Sequence, residues 1–241
     1  MANLQNIAKL AEMDGVVAVD KPAGISAHDA MKSVKTPFNL VKVGHGGTIG
    51  ANDTGVFLLL LGNAARFSNQ IMGRDRAYEA VVRLGRATNT YDRDGETVAE
   101  KPFEGVSRDA LDAALREFKG DVYMAQPPFS AVKMNGRPGY AIVPTGDDAA
   151  VERLVHVYRL SVLEFAPPTA RLSIAATKGV SVRSIANGLG AALGCGACVE
   201  ELRRTACGSV KVEDALPLME LMKLHPMDFA ARVRPVSVAL A

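Results

Sequence analysis

Apparent strands and helices follow one another along this chain without the regular βαβ rhythm of a doubly wound sheet. That irregular order restricts the fold to the α+β class, with a mixed, mostly antiparallel sheet flanked by helices. An apolar run at residues 15–19 stops at the turn signal Lys21-Pro22-Ala23-Gly24, and Ser26 then caps a helix, with Asp29 as the capping-box acid and Pro37 as its end. Residues 56–61 read as a buried strand. Asn63 starts a helix toward Met72, and residues 78–84 form another strand, closed by a turn-rich stretch at 88–95. Ser107 caps the clearest helix, whose Leu111, Ala114, Leu115 and Phe118 share one face, with Gly120 at its end. A stretch rich in proline and glycine at 126–148 reads as an excursion loop. Strands at 156–165 and 171–175 follow, then helices at 182–193 and 213–224, the last closing the chain.

With 241 residues the chain can bury a sizeable core, and the absence of Trp leaves aliphatic side chains to fill it. The formal charge of +2 neither demands nor excludes a nucleic-acid partner, because phosphate binding needs a local basic face rather than a basic average. No apolar stretch approaches the ~18 residues of a membrane span, and the N-terminus has acidic residues in place of a secretory h-region. A soluble, cytoplasmic monomer is the default expectation. Cys195, Cys198 and Cys207 are too few for a four-ligand structural zinc and odd in number, so neither a metal site nor a disulfide framework is expected.

Four stretches carry chemistry: Asp20-Lys21-Pro22-Ala23-Gly24; the glycine-rich segment at 44–55; Arg76-Ala77-Tyr78-Glu79-Ala80 continuing to Leu84-Gly85 and Asp92; and Lys178-Gly179-Val180-Ser181-Val182-Arg183. Singly, each has a bland reading as a turn, half-buried packing or a surface ion pair. The glycine-rich segment fails the P-loop pattern, since no Gly-Lys-Ser/Thr follows. Their order and spacing are together more specific. From about Gly15 to the C-terminus the chain resembles the TruB-type tRNA pseudouridine synthases, and Pro127-Pro128, Ser130-Ala131-Val132-Lys133, Gly136, Tyr140, Leu202-Arg203-Arg204-Thr205 and Glu213-Asp214-Ala215-Leu216 extend the match.

The resemblance implies a pseudouridine-synthase fold over residues 14–205. A short segment, 206–241, then leaves no room for a full accessory RNA-binding domain. It further implies a tRNA T-loop uridine as substrate and no cofactor. By resemblance Tyr78 stacks on the extruded base and assists proton removal, Arg183 partners the reacting carboxylate, Asp92 organises the pocket and His45 wedges into the T-loop. Lys21, Lys42 and Arg76 are candidate RNA contacts, with Lys32, Lys35, Arg66, Arg74, Arg83 and Arg86 as further cations able to meet phosphates.

The family's Gly-Thr-Leu-Asp-Pro-x-Ala-Thr-Gly reads here Gly47-Thr48-Ile49-Gly50-Ala51-Asn52-Asp53-Thr54-Gly55, so Gly50 stands at the nucleophile and Ala51 at the following proline. Ser181 replaces an aromatic two residues before Arg183, and Asn89 replaces an aspartate. The implied function is therefore an RNA-binding protein that grips a T-arm-like hairpin with catalysis impaired or lost. The alternative is an active synthase that uses Asp53, where the family has a small residue. An extended shift of three residues would move a side chain by up to about 10 Å, outside near-attack tolerance, unless the loop is rearranged.

Overall fold

The computed structural model describes residues 12–125 and 152–241, with 127, 133–134 and 137–138 between them. In chain order the elements are β1 (Gly15–Lys21), α1 (Ala27–Lys35), β2 (Val43–His45), β3 (Thr54–Leu61), a 3₁₀ turn (Gly62–Phe67), α2 (Ser68–Met72), β4 (Arg76–Leu84), β5 (Arg86–Thr88) and β6 (Thr97–Glu100). There follow α3 (Arg108–Arg116), β7 (Gly120–Ala125), β8 (Lys133–Met134), β9 (Arg137–Pro138), β10 (Glu152–Ala166), β11 (Thr169–Ala176), α4 (Val182–Ala192) and β12 (Ala197–Cys207). The chain closes with β13 (Val210–Lys211), a second 3₁₀ turn (Val212–Asp214), β14 (Leu216–Pro217), α5 (Leu218–Leu221), α6 (Pro226–Arg232) and α7 (Ser237–Leu240). Two compact units result: Met1–Tyr78 with Arg203–Ala241, and Glu79–Leu202, the chain passing from one to the other within β4 and again within β12.

In the first unit the strands lie in the order β14, β1, β3, β12, with β2 on β3 and β13 on β12. β1 runs antiparallel to β3, pairing Val17 with Leu59 and Val19 with Phe57, whereas β14 on β1 and β12 on β3 are parallel. The sheet is mixed, as expected. β3 is an unbroken apolar run because both of its faces are covered. Phe57, Leu59 and Leu61 pack with Val17 and Val19 against Ala30, Val34, Phe38, Leu218, Leu221 and Phe229. Val56, Leu58 and Leu60 pack with Val16 against Ala64, Ile71, Cys207, Val210 and Ala239. Phe38 stacks on Phe229 with ring centroids 3.9 Å apart. The α1 cap forms as the sequence predicts: Ser26 Oγ accepts from the Asp29 amide, and its hydroxyl donates to the Asp29 carboxylate at 2.6 Å.

In the second unit β4, β11, β10 and β7 follow one another, with β10 antiparallel to both neighbours. α3 is capped by Ser107 and buries Leu111, Ala114 and Leu115. Phe118 lies beyond its end and packs where a side chain at Gly188 of α4 would stand. β5 and β6 form a hairpin closed by Asn89, whose Oδ1 accepts from the Glu96 amide at 3.0 Å.

Three expectations need correction. The segment after Asn63 is a 3₁₀ turn leading into the short α2 rather than one helix. The single helix expected at 213–224 is divided: Pro217 has no amide to continue a helix, so residues 216–217 pair with β1 and the helix starts only at Leu218. α6 and α7, not that segment, close the chain. The long β12, unrecognised in the sequence, mixes charged residues with buried ones and so lacks a clean alternation. Most of the excursion loop, with the motif residues Pro128, Ser130, Ala131, Val132, Gly136 and Tyr140, lies outside the described residues. Among the described residues no helix is long and apolar enough to cross a membrane.

Candidate active site

The glycine-rich segment connects β2 to β3, and its glycines are dictated by close approach. Gly46 donates to the Leu58 carbonyl, and a Cβ there would stand 2.7 Å from Ile71. Gly47 has φ +128°, a conformation that L side chains rarely adopt, and this brings its amide back to donate to His45 Nδ1 at 3.2 Å. His45 Nδ1 is thus an acceptor, with the ring proton on Nε2. Burial, followed by the charge of Arg204, holds the His45 pKa below its ordinary value, so the ring is neutral at pH 7.

The backbone between Gly50 and Asp53 bends back on itself. Gly50 N–H donates to Asp53 Oδ2 at 3.0 Å. A Cβ built on Gly50 would lie 2.4 Å from that oxygen and 2.9 Å from the Asp53 carboxyl carbon. The Asp53 carboxylate therefore occupies the space a side chain at position 50 would take. The separation estimated for an extended chain does not apply, because the loop is folded and not extended.

Buried cations hold this loop. Lys21 is fully buried and donates to the carbonyls of Pro22 (2.8 Å), Ile25 (2.8 Å) and Ala51 (2.9 Å), while the Gly24 amide bonds the same Ala51 oxygen. Burial is the main reason its ammonium pKa is lowered, with Arg204 adding to the effect and Asp53 opposing it. Arg76 is also buried and reaches the carbonyls of Arg74, Asp75, Gly46, Ile71 and Met72. The expectation that Lys21 and Arg76 meet RNA phosphates is corrected accordingly: their donors are directed into the fold. Lys32, Lys35, Lys42 and Arg66 remain exposed.

Tyr78 is half-buried at the end of the same unit. Burial raises its phenol pKa, against the pull of Arg204 and Arg76, and Cys207 and Asp53 reinforce the rise, so the hydroxyl keeps its proton at neutral pH. Arg204 shares this environment, and the sequence shows it only as part of Leu202-Arg203-Arg204-Thr205. Its neighbour Arg203 grips Asp20 with both nitrogens, at 3.0 and 2.7 Å.

The second unit contributes a separate cluster. Arg183 Nη1 lies 3.1 Å from Asp92 Oδ2. The other Asp92 oxygen accepts from Thr90 Oγ1 (2.7 Å) and the Asp94 amide (3.1 Å). Arg183 stands in the first turn of α4, whose N-cap is Ser181; the Ser181 hydroxyl accepts from the Ser184 amide at 3.2 Å. Position 181 thus exchanges an aromatic ring for a helix cap. Cys195, Cys198 and Cys207 are buried free thiols, and burial is the main cause that raises the Cys198 pKa.

Residues 35–182 match the TruB family pseudouridylate synthase N-terminal domain, and 183–240 the tRNA pseudouridylate synthase B C-terminal domain. The tRNA pseudouridine synthase B of Pseudomonas aeruginosa is 38% identical over 226 residues, covering 93% of this chain and 73% of the relative. That of Opitutus terrae is 36% identical over 226 residues, with 93% and 94% covered. Among solved structures, a chain of a Cbf5-Nop10-Gar1 complex superimposes with a TM-score of 0.75 at 26% identity, over 97% of this chain and 63% of that one. A chain of the archaeal box H/ACA sRNP Nop10-Cbf5 complex shares the fold with a TM-score of 0.70 at 23% identity, again over 97% and 63%. This chain thus spans less than two thirds of those solved chains. The length and identity of these matches establish that the chain belongs to the TruB family of tRNA pseudouridine synthases.

Proposed function

We propose that this protein isomerises a uridine in a tRNA T-arm hairpin to pseudouridine, and that the Asp53 carboxylate performs the task the family resemblance assigns to position 50. The observation that carries this reading is the overlap of Asp53 Oδ2 with the space of a residue-50 side chain, 2.4 Å from a Cβ built on Gly50. The two positions exchange residue types, since a small residue stands at 50 and the carboxylate at 53.

The chemistry asks little else. Uridine and pseudouridine are isomers: the bond from the ribose to the ring nitrogen breaks and a bond to ring carbon 5 forms. The proton leaves that carbon and the nitrogen gains one. No oxidant, reductant or group donor is consumed. The base is first turned out of its stack. Asp53 attacks the substrate covalently or stabilises it while the base is detached. Tyr78, a neutral phenol, packs on the base and assists removal of the proton. Asp92 holds Arg183, which the resemblance assigns to the same reaction. His45, neutral and half-buried, and the exposed Lys32, Lys35, Lys42 and Arg66 serve the RNA, the cations through its phosphates.

The test is a single-turnover incubation with a T-arm transcript, followed by mass-spectrometric mapping of pseudouridine. Conversion by the unaltered protein and its loss in Asp53→Ala and Asp53→Asn are expected. Tight, salt-sensitive hairpin binding with no pseudouridine formed would favour the second reading, a protein that grips RNA without chemistry. Conversion that survives Asp53→Ala would remove Asp53 from the mechanism.

A further inference from the structure

Arg204 lies in the part of β12 that runs parallel to β3, in register with Gly55. The two backbones approach so closely that a Cβ on Gly55 would stand 2.1 Å from the Arg204 carbonyl oxygen, and Gly55 adopts φ +101°. From this anchored backbone the side chain runs inward, leaving the residue 4% exposed. Its Nε donates to the Val56 carbonyl at 2.7 Å and its Nη1 to the Thr48 carbonyl at 2.9 Å. Those two oxygens stand at opposite ends of the loop that holds Gly50 and Asp53. One planar guanidinium therefore spans the mouth of the loop, a geometry that a lysine, with a single ammonium, does not reproduce.

Burying a guanidinium against two carbonyls is costly unless its charge is used, because neutral acceptors repay only part of the lost hydration. The charged and titratable groups around it are Arg76, Tyr78, Cys207, Asp53, His45 and, beside Asp53, Lys21. Arg76 opposes its charge, whereas Tyr78, Cys207 and Asp53 favour it. At neutral pH the phenol keeps its proton, which leaves Asp53 as the carboxylate in this group.

We infer that Arg204 is a positioning residue for the isomerisation: it closes the loop by bonding both ends, fixes where Asp53 stands, and supplies the positive field that keeps that carboxylate ionised. The inference rests on Asp53 being the reacting group. It assigns to β12 a role distinct from that of the Arg183–Asp92 pair on the second unit.

The experiment compares the unaltered protein with Arg204→Lys, Arg204→Met and Asp53→Ala. It measures single-turnover pseudouridine formation from pH 5 to 8, dissociation constants for the T-arm transcript, and thermal melts. Arg204→Met, which keeps bulk and loses both bonds and charge, is expected to slow turnover about 100-fold, as misplacement of a reacting group by ~1 Å does. Its acid limb should move to higher pH, while hairpin affinity changes by less than about threefold. Arg204→Lys should slow turnover about tenfold and leave the acid limb in place, since it keeps the charge and loses one end of the clasp. A folded Arg204→Met that turns over within about threefold of the unaltered protein, with its acid limb unmoved, overturns the inference while leaving Asp53 in place. If Arg204→Met does not fold, Arg204→Lys decides: an unchanged rate overturns the inference, and a slowed rate at unchanged affinity supports it. Undiminished turnover by Asp53→Ala overturns the carboxylate assignment itself, and this inference with it.

Discussion

A side chain at position 50 and the carboxylate of Asp53 compete for one space, since a Cβ on Gly50 would stand 2.4 Å from Asp53 Oδ2. Restoring the family's aspartate by Gly50→Asp alone therefore places two carboxylates where one fits, and like charges that close raise each other's pKa. Gly50→Asp should melt earlier than the unaltered protein and form pseudouridine more slowly. Gly50→Asp with Asp53→Ala recreates the family's arrangement and should be more active than either single variant; a double variant no better than Gly50→Asp would show that the loop cannot serve both positions. His45 gives a second prediction at this scale. Its pKa is held below the ordinary 6.5 by burial and by Arg204, and its Nδ1 accepts from the Gly47 amide only when unprotonated. The unfolded chain thus takes up a proton that the folded chain resists. The stabilisation from His45 is complete above pH 6.5 and is lost as pH falls through the lower folded pKa. Denaturant titrations of wild type and His45→Gln should show a gap that narrows between pH 7 and pH 5, and a constant gap would refute the assignment.

Among the elements, the β3–β12 pairing tolerates little change at Gly55. Gly55 lies at φ +101° with the Arg204 backbone against it, so Gly55→Ala suffers both strain and overlap. A loss of about 2 kcal/mol or more is expected in equilibrium unfolding. Because the clasp on residues 48 and 56 starts from that backbone, turnover should fall as well. At this scale the sequence was legible where one local force decides. The Ser26 and Ser107 caps and the apolar run of β3 were each recognisable from adjacent residues, and each forms. β12 was not, because its burial follows from strands far away in sequence rather than from its own pattern. The helix expected at 213–224 failed because Pro217 has no amide to carry a helix through that position.

For the whole molecule, the family and the α+β fold were readable from the order of motifs, while the site was readable only in part. Gly50 at the family's aspartate position was visible, but the closeness of the Asp53 carboxylate to it depends on a bend in the backbone that spacing does not encode. Lys21 and Arg76 looked like surface cations because charge is expected outside, and only the carbonyls converging on them explain their burial. Arg204 gave no signal of its own. Its partners, Thr48 and Val56, lie more than a hundred residues earlier in the chain.

The first unit is assembled from both ends of the sequence, Met1–Tyr78 and Arg203–Ala241, and this has a consequence for biosynthesis. As the polypeptide leaves the ribosome, β1, β2 and β3 emerge early, yet part of the cover on each face of β3 is made last: Leu218, Leu221 and Phe229 on one side, Cys207, Val210 and Ala239 on the other. The contiguous Glu79–Leu202 can begin to order while the apolar run at 56–61 still lacks this late part of its cover. Nascent chains stalled after Leu202 should therefore bind holdase chaperones and remain protease-sensitive across β3, and release of the full chain should end both. The bonds that join Thr48 and Val56 through the Arg204 guanidinium form only once translation reaches that residue.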